Sequence, residues 1–93
     1  MEIPYSMKDV YERRHVRMVP VRYTGRTMVW RVEARADEAE LGEVRWFGRW
    51  RRYALFPAAG TAFERECLLD LAEFVDDQTK RHRALLKRER TGR

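Results

Sequence analysis

From Val16 to Phe56 apolar and polar side chains alternate in four successive runs, each ended by a short turn-forming stretch. A period of two puts neighbouring side chains on opposite faces of an extended backbone, so the stretch reads as strands and not as helix. The first run, VRMVPVRY over 16–23, is rich in β-branched valine, and Pro20 has no N–H to give a ladder, which predicts an edge position or a bulge. Thr24-Gly25-Arg26 turns the chain into a second run over 27–35, where Met28, Trp30, Val32 and Ala34 share one face. A polar turn over 36–40 leads to the third run, 41–47, and Gly48 separates it from the fourth, 50–56, as in a β-hairpin. In the third run Val44 and Trp46 face away from Glu43, Arg45 and Phe47. In the fourth, Trp50, Arg52, Ala54 and Phe56 are read on the packed face, and Arg51, Tyr53 and Leu55 on the opposite one. Consecutive strands with short links predict an antiparallel meander with one face buried.

After Pro57 and Gly60 the period changes to 3.6. Phe63, Cys67, Leu71, Phe74, Val75 and Gln78 fall at steps of three and four, with Leu68 beside them, which predicts one apolar helix stripe. Thr61 to Glu64 has the spacing of a capping box, with Thr61 as N-cap. Acids fill the early and middle turns and Lys80, Arg81 and Arg83 come late, in keeping with the helix dipole. The expected fold is α+β: a three- to four-stranded antiparallel meander with one long C-terminal helix across one face. Trp30, Val32, Val44, Trp46, Ala54 and Phe56 are expected to meet Phe63, Cys67, Leu71 and Phe74. The single domain spans 16–86. Residues 1–15 form a leader, read either as a short helix capped by Ser6 or as a partly ordered segment, and 87–93 a basic disordered tail.

Charge narrows the partners less than its total implies. Of the net +5, residues 80–93 hold seven of the twenty Lys and Arg and one of the fifteen acids, or +6. The rest of the chain holds thirteen basic and fourteen acidic residues, or −1, so the basicity belongs to the tail. No apolar run is long enough to span a bilayer and no signal-like segment opens the chain, so no membrane partner and a cytoplasmic location are expected.

The parts for catalysis are missing. His15 and His82 stand far apart, with no second ligand at metal spacing, and Ser6 is the only serine. Cys67, the single cysteine, excludes an internal disulfide and lies on the apolar stripe, where an inert thiol is the ordinary reading. Gly42 and Gly48 punctuate strands and form no phosphate-cradling loop. The expectation is a protein that is no enzyme, with no cofactor, no metal and no catalytic residues.

Two features are left to carry function. The hairpin interleaves Trp46, Phe47, Trp50, Tyr53 and Phe56 with arginines, and the tail concentrates cations. The candidate binding residues are Arg31, Arg45, Arg49, Arg51 and Tyr53 on the sheet, with Lys80, Arg81, Arg83, Lys87 and Arg88 on the tail. As structure, Arg31, Arg45 and Arg51 are cross-strand partners of Glu33 and Glu43, and the tail is a solvated helix end. As function, a face of arginines and rings enters a groove or stacks on bases, and the tail binds phosphates without sequence preference. The same residue types make protein hot spots, so a DNA, RNA or protein partner all stay open, as does a homodimer.

The stretch Trp46-Phe47-Gly48-Arg49-Trp50-Arg51-Arg52-Tyr53, then Phe56-Pro57, then Cys67-Leu68-Leu69-Asp70, resembles a group of small bacteriophage and prophage proteins. The shared pattern covers about two fifths of the chain. The resemblance implies a phage or mobile-element setting and no catalytic activity. A looser similarity, of fold alone, is to the three-strand-plus-helix arm-binding domains of phage integrases. The expected function is a phage or mobile-element accessory protein that binds nucleic acid. The alternative is a phage protein that binds and modulates or inhibits a host protein, such as a host enzyme or an anti-phage defence component.

Overall fold

A computed structural model describes the backbone of residues 4–91 and the side chains of residues 4–88. The strands are β1 (Tyr11–Glu12), β2 (Val16–Tyr23), β3 (Met28–Ala34), β4 (Glu40–Phe47) and β5 (Arg52–Pro57), followed by one helix, α1 (Arg65–Thr91). They form a five-stranded sheet in chain order, antiparallel throughout. The α+β class and the C-terminal helix agree with the alternation. The strand count is corrected to five, because the leader adds β1 where a helix was one of the two readings. Its two residues pair with Arg17 and Met18.

Proline and glycine act at the ladder's irregular points. The β2–β3 register slips between Pro20 and Arg22, a bulge that leaves Val21 unpaired. Gly42 adopts φ +151°, and a Cβ there would lie 2.5 Å from the Phe56 carbonyl oxygen. Only glycine lets β4 approach β5 this closely while it bulges against β3 between Val32 and Glu33.

The register corrects the fourth run. Phe47 pairs with Arg52 and Trp46 with Tyr53, so the turn takes the four residues 48–51. Directly opposed residues share a face, which puts Tyr53 and Leu55 with Val44 and Trp46 beneath α1. Arg52, Ala54 and Phe56 move to the open face with Glu43, Arg45 and Phe47. Placing them on the packed face was an error of one residue, which inverts a strand.

Trp30 centres the core, in edge contact with Tyr53 at 5.3 Å and Phe74 at 5.0 Å between ring centroids. Val16, Met18, Met28, Val32 and Val44 are buried around it, and Leu71 and Phe74 descend from the helix. Tyr5, from the leader, is buried with them. Leu68 is half exposed and leaves the expected stripe, which runs on from Gln78 through His82 to Leu85, while Leu86 is exposed. Thr79 joins the helix to the sheet edge: its hydroxyl accepts the Tyr53 N–H at 3.0 Å and donates to the Val75 carbonyl. A donor of edge strand β5 is thus closed to pairing with another chain. The helix runs on to Thr91, into the stretch read as the basic tail, and residues 92–93 lie outside the described residues. No helix among the described residues is long and apolar enough to cross a membrane.

Candidate functional site

Helix length and strand length decide where the charges gather. The 27 residues of α1 extend about 40 Å, whereas an eight-residue strand extends about 26 Å. The last turns of α1 therefore project beyond the sheet, at the end that carries the β2–β3 and β4–β5 turns. The Arg83 guanidinium donates to the Arg51 carbonyl at 2.9 Å and fastens the helix to the β4–β5 turn. Arg51 itself is left-handed, with φ 53°. A side chain other than glycine costs about 1–2 kcal/mol there, and the bond from Arg83 to the Arg51 carbonyl helps to hold the turn in that conformation.

The ten expected residues divide into four groups. Arg31 and Arg45 stand on the open face, paired along their own strands with Glu33 at 2.7 Å and Glu43 at 3.5 Å and not across strands. The Arg45 guanidinium also lies 3.5 Å from the Phe56 ring centroid. Arg49 and Arg51 are exposed in the turn, and Arg83, Lys87 and Arg88 are exposed on the projecting helix beside it. Lys80 and Arg81 lie earlier on α1. Asp76, 2.9 Å from Lys80, raises the lysine pKa, and Arg81 reaches the Tyr11 hydroxyl at 3.5 Å. Tyr53 is 1% exposed and is removed from the binding set. At the hairpin tip Trp50 is 62% exposed, in edge contact with Phe47 at 4.7 Å.

Beneath this basic end lies a cleft of about 550 Å³ that the alternation does not reveal. Tyr5, Tyr23, Trp46 and His82 line it, and Arg26 and Arg51 stand at its edge with Leu85 and Leu86. A chain of hydrogen bonds sets its floor. The Met28 N–H donates to the Tyr53 hydroxyl at 3.0 Å, which donates to the Tyr5 hydroxyl at 2.8 Å. Tyr5 Oη and His82 Nδ1 are 2.8 Å apart. Which of these two atoms donates follows the tautomer of His82. Burial, with the neighbouring Tyr53, pushes the Tyr5 phenol far above its usual pKa, and burial raises Tyr53 as well. Both phenols are neutral at physiological pH. His82 was legible as the next step of the stripe, four residues past Gln78, but its basic neighbours disguised it. No periodic signal marks Tyr5.

At the other end of α1, Glu64 caps the helix, taking N–H bonds from Glu66 at 3.0 Å and Cys67 at 2.6 Å. These bonds hold its carboxyl below the usual range. Thr61 bonds back to the Ala58 carbonyl and is not the cap. Burial and the adjacent Glu64 raise the Cys67 thiol, which keeps it protonated and unreactive. His15, Glu64 and Glu66 each bring a ligand-capable atom within 4.8 Å of the others, a proximity that sequence spacing hides. Both Glu64 oxygens are already engaged by the helix N-terminus, whose partial positive charge disfavours a cation there. No known protein family, curated protein or solved structure matches the chain.

Proposed function

We propose that this is a small non-enzymatic accessory protein, of a phage or mobile element, that binds nucleic acid at its basic end. The carrying observation is the Arg83–Arg51 bond, which joins the cationic helix end to the arginine-aromatic turn. The exposed Arg49, Trp50 and Arg51 of the turn are thereby joined to the helix end that carries the exposed Arg83, Lys87 and Arg88. Five cations displace counterions from a single strand with a salt slope of about −3.5, and Trp50 offers a platform for a base. Binding of labelled single and double strands, followed by anisotropy across a salt series, tests this. Arg83→Ala with Lys87→Ala is expected to flatten the slope by about 1.4 for single strands. Trp50→Ala is expected to weaken single strands by about tenfold and duplexes far less. Absence of binding at low salt, or a slope indifferent to the two cations, refutes the reading.

The alternative, a protein that engages a host protein, is favoured by one feature. Trp50, Phe47 and the flanking arginines have the composition of a hot spot, and Trp50 is more exposed than a purely structural tryptophan needs to be. A stoichiometric protein recovered from nuclease-treated lysate, and lost with Trp50→Ala, would favour it.

A further inference from the structure

We propose that the cleft beneath the basic end binds one nucleotide unit, with the base among Tyr23, Trp46 and His82 and the phosphate on Arg26 and Arg51. This rests on the nucleic-acid reading and names the part of the ligand that the end would hold most specifically. The volume of about 550 Å³ lies within the range of about 300–1,000 Å³ of small-molecule sites. Four of its lining residues carry flat rings, and these are held in place. Trp46 meets His82 at 4.6 Å and Tyr53 at 5.3 Å between centroids, and Tyr5 stacks on His82 with only 17° between planes. The Tyr53–Tyr5–His82 hydrogen bonds fix the orientation of that floor, so little side-chain freedom is lost when a planar guest enters.

Charge selects the guest. Among the described residues no carboxylate lines the cleft, and neither Arg26 nor Arg51 forms an ion pair. On the open face, by contrast, Arg31 and Arg45 are each matched by a glutamate. The two cleft arginines come from different turns, so one phosphate between them would be held by charge-assisted bonds from two sides. The negative end of the helix dipole lies at Thr91, more than two turns beyond His82, and its influence is confined to the last turn. An uncharged apolar guest would leave both guanidiniums unused.

The test uses the full chain with adenosine and uridine 5′-monophosphates, adenosine and inorganic phosphate. The readouts are the Trp46 indole N–H resonance and calorimetry. The nucleotides are expected to shift the Trp46 signal saturably and to bind more tightly than adenosine or phosphate alone. Leu86 is 44% exposed at the edge, so Leu86→Glu introduces a carboxylate without opening the core. It should weaken nucleotide binding about tenfold, as should Arg26→Ala. Ala84→Glu makes the same charge change on an exposed position outside the cleft and is expected to alter nucleotide affinity less than about twofold. An unmoved Trp46 signal, or equal losses from Leu86→Glu and Ala84→Glu, overturns the cleft. If a long single strand still binds then, the basic-end reading survives alone. Nucleotide binding without strand binding refutes the basic end and keeps the cleft as a mononucleotide site.

Discussion

Replacing Tyr53 by Phe distinguishes a buried organiser from a surface ring. The substitution keeps the ring that packs on Trp30 and Trp46 and removes one oxygen. Two groups lose a partner. Met28 is fully buried and lies outside the β3–β4 pairing, which reaches only to Trp30, so its N–H is left without this acceptor. An unsatisfied buried donor costs about 1–3 kcal/mol. Tyr5 keeps its contact with His82 but loses the bond it accepted, worth about 0.5–1.5 kcal/mol. The sum is roughly 1.5–4.5 kcal/mol, a large share of the stability of a small domain. The same change on an exposed face would stay within about 0.5 kcal/mol. Urea melts followed by circular dichroism measure the difference, provided the m-value is unchanged. A double-mutant cycle with Tyr5→Phe should give a coupling of about 0.5–3 kcal/mol. The alkaline limb gives a second readout. Both phenols are raised above the unfolded value of about 10, so their contribution is complete below that pH and declines as pH rises beyond it. A Tyr53→Phe loss under about 0.5 kcal/mol with no coupling to Tyr5 would refute the hydrogen-bond chain.

Leu71→Ala should cost about 2–5 kcal/mol in the same melts, and Asp76→Ala, at an exposed position, less than about 0.5; equal losses would misplace the helix face. Gly42→Ala should cost roughly 2 kcal/mol or more, because its Cβ meets fixed backbone at an unfavourable φ, and a neutral result would refute that close approach. Glu64→Ala should lower the melting temperature at neutral pH. Glu64 has a depressed pKa when folded, so its contribution is present above the unfolded carboxyl range and lost as pH falls through the folded value; the gap between the proteins should close in acid, and a gap independent of pH would refute the cap. Ending the chain after Thr79 should unfold it, since His82 and Leu85 leave the core, whereas ending it after Leu86 should retain the circular dichroism of the fold.

Periodicity alone determined most of the elements. The strands of 16–23 and 27–35, the hairpin's first arm and the helix all follow from where apolar side chains recur, because a half-buried element must repeat with its own period. The bulge near Pro20 followed from a missing N–H. Three things were decided only in three dimensions. The hairpin turn takes four residues, with Arg51 left-handed, and that count sets which face Tyr53 and Phe56 occupy. Alternation survives a one-residue slip unchanged within each arm, so it cannot carry the relative register of two arms. The helix cap moved from Thr61 to Glu64 because either carboxylate or hydroxyl suits the orphan N–H groups, and chain direction after Gly60 chooses between them. The cleft unites Tyr5, Arg26, Trp46 and His82 from four separate segments. Contacts of such long sequence separation leave no local trace, and they exist only because a helix longer than its sheet lays its basic end over two turns.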